Sequence, residues 1–75
     1  MIEFISASQQ YPSSFVLWFE KGGKRDWWVE VPIKELSTVE ISKYQMLDLK
    51  DGFAEWYVKN RGIESILNKY QIKQG

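Results

Sequence analysis

Phe15 to Val31, FVLWFEKGGKRDWWVEV, is the stretch whose reading decides the fold. Two arms rich in aromatic and β-branched residues flank Gly22-Gly23. Such residues suit a pleated, half-buried surface. The glycine pair supplies the positive φ angles of a tight reversal. Loop length then sets the register. With Gly22-Gly23 alone as the loop, Phe15 faces Glu30, Leu17 faces Trp28 and Phe19 faces Asp26, so each face is mixed. With a three-residue loop, Gly22 to Lys24, Phe15 faces Val31, Leu17 faces Val29 and Phe19 faces Trp27. These six make one wholly apolar face. A one-residue slip changes which side chains share a face. Burying a large apolar side chain is worth roughly 1.5–3 kcal/mol, against about 0.2–1 kcal/mol for a cross-strand pair. The apolar register is therefore expected, with the three-residue loop.

That register places Val16, Trp18, Glu20, Asp26, Trp28 and Glu30 on the opposite face. Trp18 and Trp28 become cross-strand neighbours with an acidic rim. Either they are covered by another part of the chain or they form an apolar patch with a polar rim, which marks a protein interface. Trp and Tyr are the residues most often found as energetic anchors at such interfaces.

Working outward, Ile2 to Ala7 alternates weakly and reads as a first strand. Ser8 to Ser14, SQQYPSS, reads as a polar loop broken at Pro12. Pro32 ends the second long strand, and Ile33 to Leu36 is a connector. Ser37-Thr38-Val39-Glu40 matches a capping box and predicts a helix from Thr38 to Leu49, with Ile41, Tyr44 and Leu47 on one side; a strand at Val39 to Ser42 is the alternative. Asp51-Gly52 is a break, and Asp51 is a candidate cap for the next helix. Phe53, Trp56, Tyr57 and Asn60 fall at helical spacing, as do Ile63, Ile66, Leu67 and Tyr70. Gly62 either ends a first helix or sits inside one long helix. Tyr57 or Tyr70 is expected at the edge of this stripe. Gln71 to Gly75 is expected to fray.

The expected fold is α+β. A small antiparallel sheet of two long hairpin strands and a short N-terminal strand packs against a helical half that starts near Ser37. Seventy-five residues make a single domain, residues 1 to 75. A chain this short is marginal unless stapled or oligomeric. It has no Cys, so neither a disulfide framework nor a Cys-based zinc site is expected, and a cytoplasmic or virion-interior location is the simplest reading. No long apolar run suggests a membrane span, and MIEFISASQQ does not resemble a signal peptide.

With no His and no Cys, the usual general base, thiol nucleophile and imidazole ligand are missing. The remaining carboxylates read as ordinary surface charges. Glu20, Asp26 and Glu30 share a face but lack the encircling loop of a cation site. No catalytic residue, metal or cofactor is expected. Lys21, Lys24 and Arg25 form the one basic cluster, without the spacing of a phosphate-binding loop. At a hairpin tip they are either solvated or touch phosphate.

The expected function is thus a non-enzymatic domain that binds a larger protein, as an adaptor, inhibitor or small subunit. Phage and mobile-element accessory proteins often have this size, an analogy only. The second reading is a DNA- or RNA-binding domain that uses the sheet, the basic tip and Trp18 and Trp28 as base-stacking platforms. Ten basic against ten acidic residues counts against that. Homodimerisation through the Trp face or a free sheet edge fits either reading.

Overall fold

The computed structural model describes residues 1 to 75, except for the side chain of Asp51. Four strands, β1 (Ile2–Tyr11), β2 (Ser14–Lys21), β3 (Lys24–Pro32) and β4 (Lys73–Gln74), form one antiparallel sheet in the order β1-β2-β3-β4. Between β3 and β4 come a 3-10 turn (Ile33–Glu35) and α1 (Thr38–Met46). A π-helical turn (Leu49–Phe53), α2 (Ala54–Arg61) and α3 (Ile63–Lys69) follow. This is a small α+β fold with the helices in the C-terminal half.

The central hairpin has the apolar register, Phe15↔Val31, Leu17↔Val29 and Phe19↔Trp27. Its loop is shorter than expected. Gly22 (φ 62°) and Gly23 (φ 78°) alone make the turn, and Lys21 pairs with Lys24. An irregularity between Phe19 and Lys21 absorbs the difference of one residue. Glu20 therefore stands opposite both Arg25 and Asp26 instead of facing Asp26 alone. A bulge of this kind lets a two-residue turn with both φ angles positive coexist with the register that buries the apolar face.

The first strand is longer than its weak alternation suggests. Phe4 pairs with Phe19 and Ala7 with Leu17, with a register shift between Phe4 and Ser6. The extra residue puts Phe4 and Ala7, three apart, on the same core-facing side, which hides the period of two in the sequence. The strand runs on through Gln9 and Gln10 to Tyr11, so the expected polar loop shrinks to the turn at Pro12-Ser13. Backbone pairing with β2 carries these polar residues, and Tyr11 stays exposed.

Ser37 caps α1 with a complete capping box: Glu40 N donates to Ser37 Oγ (3.2 Å) and Ser37 N donates to Glu40 Oε1 (2.8 Å). The helix stops at Met46, three residues short of Leu49. Its expected apolar side is mostly not buried. Tyr44 packs on the core, whereas Ile41 and Leu47 are exposed, as are Val39 (62 %) and Met46 (75 %). The buried residue of α1 is Glu40.

Gly62, at φ 86° and ψ 138°, separates α2 from α3 and closes the choice between one helix and two. The expected Asp51 cap concerns a side chain outside the described residues. The core lies between the apolar hairpin face and the helices. Phe15 meets Phe53 edge-on at 5.6 Å and Tyr57 edge-on at 5.7 Å, and stacks on Tyr44 at 6.0 Å. Each such aromatic pair adds about 0.5–1.5 kcal/mol beyond its buried area. Tyr57 is fully buried, while Tyr70 lies at the edge and donates its hydroxyl to Glu35 Oε1 at 3.0 Å. Residues 73 and 74 do not fray: they pair with β3 as β4.

Candidate functional site

Strand alternation puts Val16, Trp18, Trp28 and Glu30 on the sheet face away from the helices, because Phe15, Leu17, Val29 and Val31 occupy the core side. Trp18 and Trp28 are direct cross-strand partners with ring centroids 6.3 Å apart and tilted by 46°. Both are half-buried and neither packs against the core cluster. Val16 belongs to the same face, yet it is fully buried. It is a floor for the patch and offers no contact surface of its own.

Each indole is held by a neighbour that the sequence did not disclose. Trp18 Nε1 donates to Ser8 Oγ at 3.0 Å. The shifted register of β1 brings Ser8 opposite Val16 and onto this face. Trp28 pairs with Lys73 of β4, whose ammonium lies over its ring at 5.0 Å. Only the pairing of β4 reveals this contact; nothing in QIKQG marks a strand.

The acidic rim is partly engaged. Glu30 Oε2 accepts from the buried Ser14 Oγ at 2.8 Å. Asp26 accepts from Gln74 Nε2 through Oδ1 at 3.3 Å and from Gly75 N through its backbone carbonyl at 3.0 Å. Glu20 faces Arg25 at 3.9 Å with both side chains well exposed. Such a surface pair is worth little. A shallow hollow lined by Pro12, Ser14, Glu30, Pro32 and Lys34 adjoins the patch at its far end.

The basic tip is less available than its sequence implies. Lys21 Nζ sits 4.7 Å from the centre of the Trp27 ring, and Arg25 is drawn to Glu20. Lys24 makes none of the described ion pairs or ring contacts. The tip is therefore not a ready-made cluster of three free cations.

A second polar cluster lies under the helices, and no reading of the sequence anticipated it. Glu40, 3 % exposed, accepts from Arg61 Nε at 2.6 Å and Nη2 at 2.9 Å. The expectation that every carboxylate is an ordinary surface charge fails here. The Arg61 hydrogen bonds hold the Glu40 carboxyl below its ordinary value against the opposing effect of burial. The guanidinium is in turn raised by Glu40 and lies over the Tyr57 ring at 5.5 Å. Burial pushes the Tyr57 and Tyr70 phenols up. A capping-box Glu and an Arg 21 positions later carry no spacing signal for such a pair. The cluster fastens α1 to α2 and opens into none of the described hollows.

Among the described residues, no three His, Cys, Asp or Glu side chains group together as metal ligands would. No described helix is long and apolar enough to cross a membrane. No family model, curated protein or solved structure matches the chain.

Proposed function

We propose that this chain is a non-enzymatic binding domain that docks on a larger protein through the Trp18–Trp28 face of its sheet. The observation that carries this is the placement of two large aromatic side chains, in contact with each other, on the face that the helices leave alone. A small protein normally spends its indoles on its core. Here Trp27 and Trp56 pack there, while Trp18 and Trp28 do not. Trp18 is also held by its hydrogen bond to Ser8 before it binds, so less of its side-chain freedom remains to be lost on association.

The reading is non-enzymatic because His and Cys are absent and the one carboxylate buried among the described residues, Glu40, is locked onto Arg61. A cytoplasmic partner is expected. Nucleic acid is disfavoured by the acidic groups beside the indoles and by the engagement of Lys21 and Arg25.

The test is affinity capture from lysate of the source cells, with and without nuclease. Wild type is compared with Trp28→Ala and with Lys24 and Arg25 neutralised, each variant first checked by circular dichroism. A protein retained after nuclease and lost with Trp28→Ala is the expected result. Recovery of nucleic acid that depends on Lys24 and Arg25 contradicts the reading, and so does capture that is indifferent to Trp28.

A further inference from the structure

We infer that the β3 edge beside Trp28 accepts an extended peptide strand with basic side chains, and that the chain's own Lys73–Gly75 holds that place until such a strand arrives. The inference rests on the Trp18–Trp28 face being the protein-binding surface, and it names the chemistry of the partner.

The stretch that now occupies the edge shows what the edge takes. β4 contributes two residues, both exposed, paired as Trp27↔Gln74 and Trp28↔Lys73. The Lys73 ammonium lies over the Trp28 ring. Gln74 and Gly75 donate to the side chain and backbone of Asp26. These are the contacts of strand addition: main-chain bonds along an edge, a cation on an aromatic face and donors to a carboxylate.

On the side toward Pro32 the residues before Lys73 do not continue this pairing. Following the antiparallel register, position 71 would stand opposite Glu30, on the same face as Lys73 opposite Trp28. Tyr70, just before it, closes the last turn of α3, with its N–H donating to Ile66 O at 2.9 Å. No described strand pairs with β3 on this side beyond Trp28. An incoming strand, free of that helix, can pair at Glu30 as well, whose backbone faces the same side as Asp26 and Trp28; Pro32, the next residue on that side, has no N–H to offer. Side chains alternate with a period of two. A basic residue over Trp28 therefore places the residue two positions earlier beside Glu30. Glu30 has one carboxylate oxygen bonded to Ser14 and a second oxygen with no described hydrogen-bond partner. The fitting sequence is basic-x-basic in an extended segment, and the charge complement is Asp26 and Glu30.

The test uses the full chain and a synthetic probe, acetyl-TVKVKVT-amide, with acetyl-TVQVQVT-amide and acetyl-TVEVEVT-amide as controls. Lys73→Pro removes a ladder N–H and the cation, so it detaches β4. Gly75→Pro keeps the Lys73 cation, removes the N–H that donates to Asp26 and brings a Cβ to 3.3 Å from Trp28 Nε1, so it too loosens the end of β4, and it serves if Lys73→Pro fails to fold. With the edge vacated, affinity for the lysine probe should rise about tenfold over wild type, since apparent affinity scales with the fraction of molecules whose site is open. Glu30→Gln should weaken binding about threefold or more and flatten its salt dependence, as loss of an attracting charge does. Equal binding of the three probes overturns the basic occupant, as does failure of all three to bind the vacated chain. Equal affinity of wild type and both vacated variants overturns the role of Lys73–Gly75. If either occurs while Trp28→Ala still abolishes capture of a protein partner, the Trp face stands and only the strand partner falls.

Discussion

Glu40 shows how much one carboxylate can be asked to do. It accepts from the N-cap backbone of α1 and from two nitrogens of Arg61, so a single side chain closes the capping box and ties α1 to α2. Removing one member of a buried pair leaves the other uncompensated and costs roughly 3–5 kcal/mol. Arg61 keeps some contact with water. Glu40→Gln is therefore expected near the low end, about 3 kcal/mol, or a fall of roughly 15 °C in melting temperature for a chain of this size. The acid response follows from the depressed carboxyl. Its stabilisation is complete above the ordinary value of 4.5 and is lost as pH falls through the lower folded value. Urea titrations from pH 6 down to pH 2 should show wild type losing stability more steeply than Glu40→Gln; parallel acid limbs would contradict the ion pair. The capping box was legible in the sequence because it is local, Ser37 and Glu40 lying three residues apart. The partner Arg61 was not, since no rule links the two positions before the helices are packed.

The elements tell the same story at longer range. The hairpin register was readable because one alignment alone gathers six apolar side chains on one face. Counting along the sequence misplaces the turn because it assumes regular strands, and the bulge opposite Glu20 breaks that assumption. The bulge near Ile5 similarly disguised β1. The stripe Ile41, Tyr44 and Leu47 suggests a longer helix for a different reason: of the three, Tyr44 packs on the core, against Phe15 and Phe53, while Ile41 and Leu47 are exposed, so little apolar burial holds the end of the helix. The sequence allows one helix or two around Gly62, and its φ of 86° decides for two. An added Cβ there meets nothing within 4 Å, so the effect of Gly62→Ala is carried by the backbone alone. A residue forced into a sparsely populated region costs of order 1–3 kcal/mol. Thermal unfolding should accordingly fall by about 10 °C. An unchanged melting temperature would mean that α2 and α3 can join without strain.

At the scale of the molecule, the chain gathers its helices on one face of a four-stranded sheet and leaves the other to an indole pair with acidic neighbours. The asymmetry was legible in the alternation of the hairpin. Its last component, β4, was not, because Lys73–Gly75 has no strand signal and is ordered by the β3 edge it joins. The competing surface is the exposed side of α1, where Val39 and Met46 stand out to solvent; the same helix carries Lys43, whose ammonium lies 5.8 Å from the centre of the Trp56 ring. The two surfaces can be told apart by the four tryptophan indole N–H signals in a proton–nitrogen correlation spectrum, recorded while the captured protein partner is titrated in. The indoles of Trp18 and Trp28 should shift or broaden, with those of Trp27 and Trp56 little changed. Perturbation of Trp56 alone, with Trp18 and Trp28 unmoved, would place the partner on α1 and contradict the account.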